Sequence, residues 1–204
     1  MCRFLETVRV VDGAAPLLPW HERRFRATQM AAWGGIVHLP LAQLMPECPS
    51  LPGVFKARLL YSKFELEWSV EPYQPREILF LEPVDGSGLD YHLKLVDRSK
   101  LNRLSRDRKK GVEILIIQEG RITDTSFSNV AFEDERGWWT PRRPLLKGTR
   151  RASLLESGVL SEADIAIGDL TEYRRVALFN AMLPWEEKII LPVTSILGSQ
   201  LGRS

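Results

Sequence analysis

ITDTSFSNVAF, residues 122–132, is the stretch that decides the fold. Asp124 comes at the end of a hydrophobic strand, and Val130 begins the next one. Small hydroxyl and amide residues lie between them: Thr125, Ser126, Ser128 and Asn129. Polar groups buried between two strands cost free energy unless they are hydrogen bonded. The pattern therefore indicates a turn built for a function inside a β-rich domain.

The chain on both sides of this stretch alternates strands with a few helices. Working outward, we predict strands, hairpins and helices at 77–84 (strand), 91–96 (strand), 99–110 (helix), 113–118 with 121–123 (hairpin), 129–134 with 137–141 (hairpin), 148–157 (helix), 169–176 (helix) and 176–182 (strand). These elements form an α+β domain over residues 76–204.

The first part of the chain predicts a smaller unit, residues 1–75. Residues 4–11 and 54–61 are predicted strands. A helix at 17–33 is opened by a proline and ended by a pair of glycines. Residues 63–70 alternate apolar and polar side chains, which is typical of a half-buried strand. Two prolines at 72 and 75 mark a linker.

Composition excludes several classes of protein. The chain has 204 residues, 44% apolar and 26% charged, with a net charge of +2, so no basic footprint indicates nucleic-acid binding. No apolar run reaches the ~20 residues of a membrane span, and the first residues lack the pattern of a signal peptide. Cys2 and Cys48 form neither a disulfide framework nor a metal-site spacing, so we expect reduced thiols in a cytoplasmic protein and no metal.

Lys94 is the first candidate for chemistry. It lies in YHLKLV, on a predicted buried strand, where an amine costs free energy unless it is paired or reacts. The alternative is an edge lysine whose amine reaches water. The rival candidate is Lys100, but its stretch, SKLNRLSRDRKK, is a charged helix on which lysines are usually solvated.

Three further segments carry polar groups suited to binding an anion or a cofactor. His21 and Arg24 are three residues apart on a predicted helix, so they share a face; an arginine there can also be merely solvated. Thr149 and Arg150 begin a predicted helix, whose backbone N–H groups would meet an anion, unless the helix is simply capped. Asn180 lies in the apolar LFNAMLPW and needs a partner, which could be plain backbone.

These segments together resemble the class IV aminotransferases, which are pyridoxal 5'-phosphate (PLP) enzymes of fold type IV. The resemblance runs in the family's order from residue 6 to residue 184. Within the family, RVVDG, KLVDR and NAMLP are most similar to the aminodeoxychorismate lyases. It implies a small α/β domain, a larger β-rich pseudo-barrel domain, PLP in the cleft between them, and a homodimer.

The resemblance also implies a role for each candidate residue. Lys94 would form the Schiff base, Asp124 would hold the ring nitrogen, and Arg24 would grip the phosphate, with His21 packed in support. The remaining cofactor-binding residues would be Asn129, Thr149, Arg150 and Asn180. The pyridine ring then serves as an electron sink.

Two departures from the family pattern bear on these roles. Asp124 stands where the family usually has Glu, and it is shorter by one CH2, roughly 1.5 Å. The chain also begins almost at FLET, without the extra strand and glycine-rich turn of the family, so we expect substrate choice to differ. The favoured reaction on a small amine or amino acid is release of pyruvate from aminodeoxychorismate to give 4-aminobenzoate. The alternatives are an aminotransferase for branched-chain or D-amino acids, a PLP-binding protein without turnover, and a protein that binds no PLP.

Overall fold

The computed structural model describes residues 2–47 and 52–198. Cys48 therefore lies outside the described residues, whereas Cys2 is an exposed free thiol. The chain divides into two compact units. Unit 1 comprises Met1–Pro75 and Leu93–Asp97, and unit 2 comprises Arg76–His92 and Arg98–Ser204. Within the described ranges no helix has the length and apolar character needed to cross a membrane.

Unit 1 is a three-stranded antiparallel sheet with helices. The strands are β1 (Phe4–Val11), β2 (Val54–Tyr61) and β3 (Leu66–Pro72), and the helices are α1 (Leu18–Trp33) and α2 (Leu41–Leu44). The predicted ends of the first helix are nearly right, because α1 has a proline in its first turn and ends at Gly34, whose φ of 72° is left-handed. Phe4, Phe25 and Tyr61 are buried together in the core of the unit.

The third strand begins later than predicted. The pattern predicts residues 63–70, but a turn takes up the start of that range. The Ser62 N–H bonds to Glu65 O at 2.9 Å, and the Ser62 hydroxyl oxygen accepts the Phe64 and Glu65 N–H groups. Phe64 is consequently 73% exposed rather than half-buried.

The predicted strand at 91–96 is wrong. The segment makes only an isolated bridge between Leu95 and Phe4. Two backbone bonds join it to β1 in unit 1, from Leu5 N to Lys94 O and from Val96 N to Arg3 O, both 2.9 Å. The local apolar pattern is satisfied by packing Leu93 and Leu95 on the core of unit 1, without a ladder.

Unit 2 is built on an eight-stranded sheet. Its strands are β4 (Phe80–Asp85), β5 (Val112–Gln118), β6 (Arg121–Thr125), β7 (Asn129–Asp134), β8 (Gly137–Pro141), β9 (Ser161–Ala163), β10 (Arg175–Phe179) and β11 (Ile189–Pro192). The main order is β11-β10-β7-β6-β5-β4, and β8 pairs with β7 and β9. The β4–β5 and β8–β9 pairs are parallel and the others antiparallel. The outer strand β4 is bonded further, from Leu197 N to Leu81 O.

The described part of unit 2 also contains two α-helices, α3 (Ser99–Leu104) and α4 (Thr149–Glu156), and the second was predicted correctly. The first ends well short of residue 110, and a left-handed Asp107 (φ 61°) lies in the stretch that was predicted to continue it. The predicted helix at 169–176 is a 3-10 helix at Ile167–Glu172, because Arg175 already starts β10. The core beneath the sheet is aliphatic and aromatic, as the α+β prediction requires.

Candidate active site

Asp124 lies in a β-bulge of the β5–β6 pair. Leu115 is opposite Thr125 and Ile117 is opposite Ile122, so β6 carries one residue more than β5 between these pairs. A bulge bends its strand and re-aims a side chain, and bulges are frequent beside active sites. The sequence predicted the hairpin but not this irregularity.

The Asp124 carboxyl group is buried and hydrogen bonded by the protein at both oxygens. It is 4% exposed. Oδ1 accepts the Asn129 side-chain amide at 2.7 Å, and Oδ2 accepts the Leu146 N–H at 2.8 Å. Burial raises the pKa of Asp124 to about 7, although these hydrogen bonds and the charge of Arg151 oppose the rise. The site therefore contains an acid that a nearby cation would stabilise in its charged form.

The polar turn after Asp124 is fixed from two sides. The Ser126 carbonyl accepts a hydrogen bond from the Arg98 guanidinium, and the Ser126 N–H donates to the Glu113 carboxylate at 3.2 Å. Within the turn, the Thr125 hydroxyl oxygen accepts the Ser128 N–H at 2.9 Å. The backbone groups of the turn thus have the hydrogen-bond partners that a buried turn requires. These bonds fix the turn that follows Asp124.

Asn129 joins Asp124 to the beginning of α4. Its side-chain amide donates to Asp124 and also to Leu146 O at 2.9 Å. Its Oδ1 lies so close to Gly148 that a Cβ on this glycine would be only 2.0 Å away. Gly148 is the N-cap of α4. The close approach of the Asn129 side chain to its backbone requires a glycine at this position. Asn129 thus contacts both the carboxyl group of Asp124 and the segment that begins α4.

The beginning of α4 places Thr149 and Arg150 in its first turn, as predicted. Thr149 is buried, and Gly148 provides no side-chain cap. The first N–H groups of a helix have no acceptor within it and favour an anion. An anion near these groups is therefore a chemically suitable occupant.

Asn180 makes its bonds with the protein itself. Its Oδ1 accepts the Met182 and Leu183 N–H groups, at 2.8 and 3.1 Å. Its Nδ2 donates to the Ser128 hydroxyl at 3.0 Å and to Phe127 O at 3.3 Å. This geometry fits the plain structural alternative, in which Asn180 holds the turn after Asp124. Its predicted contact with a cofactor stays a prediction.

Unit 1 gathers a second group of charged side chains, centred on Glu6. Glu6 is 0% exposed. Its Oε1 accepts Arg24 Nε at 2.8 Å, and its Oε2 accepts Arg24 Nη2 and His21 Nδ1, each at 2.6 Å. The predicted shared face of His21 and Arg24 is confirmed, because both side chains reach one carboxylate.

The protonation states in this group follow from burial and charge. Burial by itself would raise the pKa of Glu6, but the charge and hydrogen bonds of Arg24, with those of His21, hold that pKa far below its ordinary value. Burial lowers the pKa of His21 and, together with the charges of Arg24 and Lys94, outweighs the rise that Glu6 causes. His21 is therefore neutral, with the proton on Nδ1, since a carboxylate only accepts.

The two candidate lysines differ in their surroundings. Lys94 is half-buried, and its charge acts on the pKa of His21, so it lies within electrostatic range of that group in unit 1. Lys100 is exposed on α3, as expected for a solvated lysine. The geometry therefore favours Lys94 over Lys100 as the reactive amine, and that role stays a prediction.

Sequence reasoning missed three residues. Glu6 lies inside the FLET segment, where an acid interrupts an apolar strand. Glu113 interrupts the apolar run of β5 in the same manner, and Arg98 belongs to KLVDR. For Glu6 and Glu113 the signal was a charged residue in an apolar segment, whereas Arg98 lies in a charged segment and gave no such signal. The partners of all three are distant along the chain, so the pattern of residues did not identify them.

The sequence model of the amino-transferase class IV family matches residues 91–196. An uncharacterised protein of Haemophilus influenzae is 28% identical over 192 residues, which is 89% of this chain and 98% of that protein.

Solved structures show the same fold. A provisionally named 4-amino-4-deoxychorismate lyase from Haemophilus somnus superposes with a TM-score of 0.81 at 29% identity, covering 90% of this chain and 98% of that one. A provisionally named amino-acid aminotransferase from Mesorhizobium loti has a TM-score of 0.77 at 23% identity, covering 94% and 99%, and it bears on the fold alone. The predicted fold type is thereby confirmed.

Proposed function

Because the chain belongs to the amino-transferase class IV family, we propose that it is a PLP-dependent enzyme and that its reaction is that of a 4-amino-4-deoxychorismate lyase. The lyase reaction releases pyruvate and gives 4-aminobenzoate. The Haemophilus somnus structure, similar over nearly its whole length, supports this choice, together with the RVVDG, KLVDR and NAMLP segments.

The observation that carries the proposal is the buried carboxyl group of Asp124. Its pKa of about 7 results from burial without a cation in contact among the described residues. A protonated ring nitrogen would supply that cation and restore the charged carboxylate. Both oxygens already accept a protein donor, but a carboxylate has roughly four lone-pair sites, so a further donor fits. The shorter Asp in place of Glu is accompanied by the bulge, which sets its direction.

The residues of the chain then have separate tasks. PLP, when bound, supplies an electron sink that stabilises negative charge on the substrate. Lys94 would hold the cofactor aldehyde and move a proton on the substrate, a role that requires a neutral amine. Asp124, oriented by Asn129, would keep a proton at the ring nitrogen. Arg24 and the backbone N–H groups at Thr149 would hold the phosphate.

An absorbance experiment tests cofactor binding. The purified protein is mixed with PLP and its visible band is recorded for the wild type, Lys94→Ala and Lys100→Ala. We expect the protein-bound band in the wild type and in Lys100→Ala, and its loss in Lys94→Ala. A band that survives in Lys94→Ala and disappears in Lys100→Ala would refute the assignment of the lysine.

A product assay then separates the candidate reactions. With 4-amino-4-deoxychorismate, a lyase forms pyruvate and 4-aminobenzoate in equal amounts. The second candidate is an aminotransferase, favoured by the family that matches the chain. An aminotransferase would convert bound PLP to pyridoxamine phosphate when a branched-chain or D-amino acid is added. Binding without either product would identify a PLP-binding protein without turnover.

The family resemblance is also our ground for proposing a cytoplasmic homodimer. Light scattering coupled to size-exclusion chromatography measures the mass directly. A mass of twice 23.3 kDa is expected, and a mass of one chain at micromolar concentration would contradict the proposal.

A further inference from the structure

The carboxylate of Glu6 in unit 1 is the most completely buried acid that the proposed reaction leaves without a role. It is 0% exposed and lies on β1 between Phe4 and Val8, the buried apolar residues on its own face of the strand. Three hydrogen bonds from α1 reach it, two of them from one arginine. The nearby charge of Glu6, together with burial, also raises the pKa of Tyr61.

Stability alone does not explain this arrangement. The cost of removing two charges from water can exceed their attraction, and apolar residues of similar volume often replace a buried ion pair without loss. The Arg24 side chain is 13% exposed, whereas that of Glu6 is 1% exposed. The pair therefore has a buried acid beneath an arginine that reaches the surface of its unit.

The geometry of the contact fixes the arginine. Nε and Nη2 of Arg24 bind the two different oxygens of Glu6, at 2.8 and 2.6 Å. Such a two-bond fork defines the plane of the guanidinium as well as its distance. Because the side edge of the group faces Glu6, the end edge, which carries Nη1, points away from Glu6. A single hydrogen bond would leave the plane free to rotate.

His21 bonds to the same carboxylate, at the oxygen that also accepts Arg24 Nη2. Its Nδ1 donates to Oε2 at 2.6 Å, and its side chain is 0% exposed. A neutral donor adds a hydrogen bond without competing for the charge of Glu6. The carboxylate is therefore held in one position relative to α1.

We propose that Glu6 is a positioning residue, whose carboxylate fixes the guanidinium of Arg24 so that its end edge is pre-oriented for the phosphate of the cofactor. This inference rests on the function proposed above for Arg24. Pre-orientation strengthens binding because less conformational freedom is lost when the ligand arrives.

The test compares PLP with pyridoxal, which lacks the phosphate. Dissociation constants are measured by equilibrium dialysis for the wild type, Glu6→Gln, Arg24→Gln and the double variant. Gln keeps the shape of Glu but offers one acceptor oxygen, so one arm of the fork meets a donor. We expect Glu6→Gln to weaken PLP by about tenfold to a hundredfold, the range of one charge-assisted hydrogen bond, and pyridoxal by less than about twofold.

The double variant and a matched control test whether Glu6 acts on PLP affinity through Arg24. If Glu6 acts through Arg24, Glu6→Gln has no further effect on PLP affinity once Arg24→Gln is present. Glu71→Gln is the control, since Glu71 is an exposed carboxylate of the same sheet that pairs with Lys56 at 2.6 Å. It removes the same charge and should leave both affinities unchanged.

The outcomes separate this inference from the proposed function. Equal losses for PLP and pyridoxal, additive effects in the double variant, or unchanged or tighter PLP binding in Glu6→Gln would each overturn the role of Glu6. Failure of the wild type to bind PLP would instead refute the proposed function. If Glu6→Gln does not fold by circular dichroism, the Arg24→Gln and double variants decide, because the proposal expects these two to bind PLP equally.

Discussion

The stability of cofactor-free Asp124→Asn relative to that of the wild type should increase as the pH rises. Burial raises the pKa of Asp124 from its ordinary 3.8 to about 7 in the folded protein. Between these values the folded state binds a proton that the unfolded state has lost. The wild type is therefore most stable below the unfolded pKa, and it loses this contribution as the pH rises towards 7. Asn does not titrate, so the variant has no such loss.

The magnitude follows from the size of the shift. About three pKa units correspond to ~4 kcal/mol in total, and ~3 kcal/mol of this falls between about pH 5 and pH 8. A second effect is independent of pH. The carboxylate accepts hydrogen bonds from Asn129 and Leu146 on different oxygens, whereas an amide has one oxygen. One donor then meets an N–H group, at a cost of about 1–3 kcal/mol at every pH.

Urea unfolding at several pH values, followed by tryptophan fluorescence, measures the difference. The free energy of unfolding of Asp124→Asn minus that of the wild type should rise by ~3 kcal/mol across this range. Contributions from other groups, such as Glu6, cancel because both proteins share them. Asp134→Asn is the control, because the Trp139 side chain and the hydrogen bonds of its own turn lower the pKa of Asp134 to about 2, below the range tested. A difference that stays constant from pH 5 to pH 8 would refute the reasoning.

Three further substitutions test the support of the site. Gly148→Ala places a Cβ 2.0 Å from Asn129 Oδ1, so thermal unfolding should show a loss of about 1–3 kcal/mol, and an unchanged Tm would contradict the close approach. Glu113→Gln removes the charge that receives the Ser126 N–H; it should weaken PLP several-fold in a dialysis assay while the fold persists by circular dichroism, and wild-type affinity would argue against a role in holding the turn. Asn180→Ala leaves the Met182 N–H without its acceptor, while the Leu183 N–H keeps only the Asn180 carbonyl. The change should cost about 1–3 kcal/mol in urea unfolding, whereas a loss of PLP affinity with normal stability would favour the predicted cofactor contact instead.

Local patterns predicted the elements whose signals lie within a few residues. The first helix is bounded by a proline and by Gly34, and α4 follows Gly148, so both ends could be read from residue type. The same reasoning failed at 91–96. An apolar run of that length fits a strand, but only the edge of β1, some 90 residues away, decides that it makes one bridge.

In the candidate site, too, residue types were predicted from local sequence, whereas contacts between distant segments were not. Lys94 and Asp124 were predicted because a charged side chain in an apolar segment has a cost that function can explain. Arg24 was predicted from its spacing with His21 on a helix and from the family resemblance. The bulge that re-aims Asp124 arises from the register of two strands, which residue types do not reveal. The fork between Glu6 and Arg24 likewise joins a strand to a helix and is visible only once both are packed.

The sequence by itself predicted most of the strands and helices, the α+β class and, with the family resemblance, the acid, lysine and arginine on which the proposed chemistry depends. The elements follow from side-chain period and turn residues, which act locally, whereas the roles of the three residues rest on the resemblance. Only the tertiary structure decided the protonation of Asp124, the partners of Asn129 and the buried acid beneath Arg24. Burial and hydrogen-bond geometry depend on residues that are distant in the chain, and they fix the pKa and the direction of a side chain only after folding.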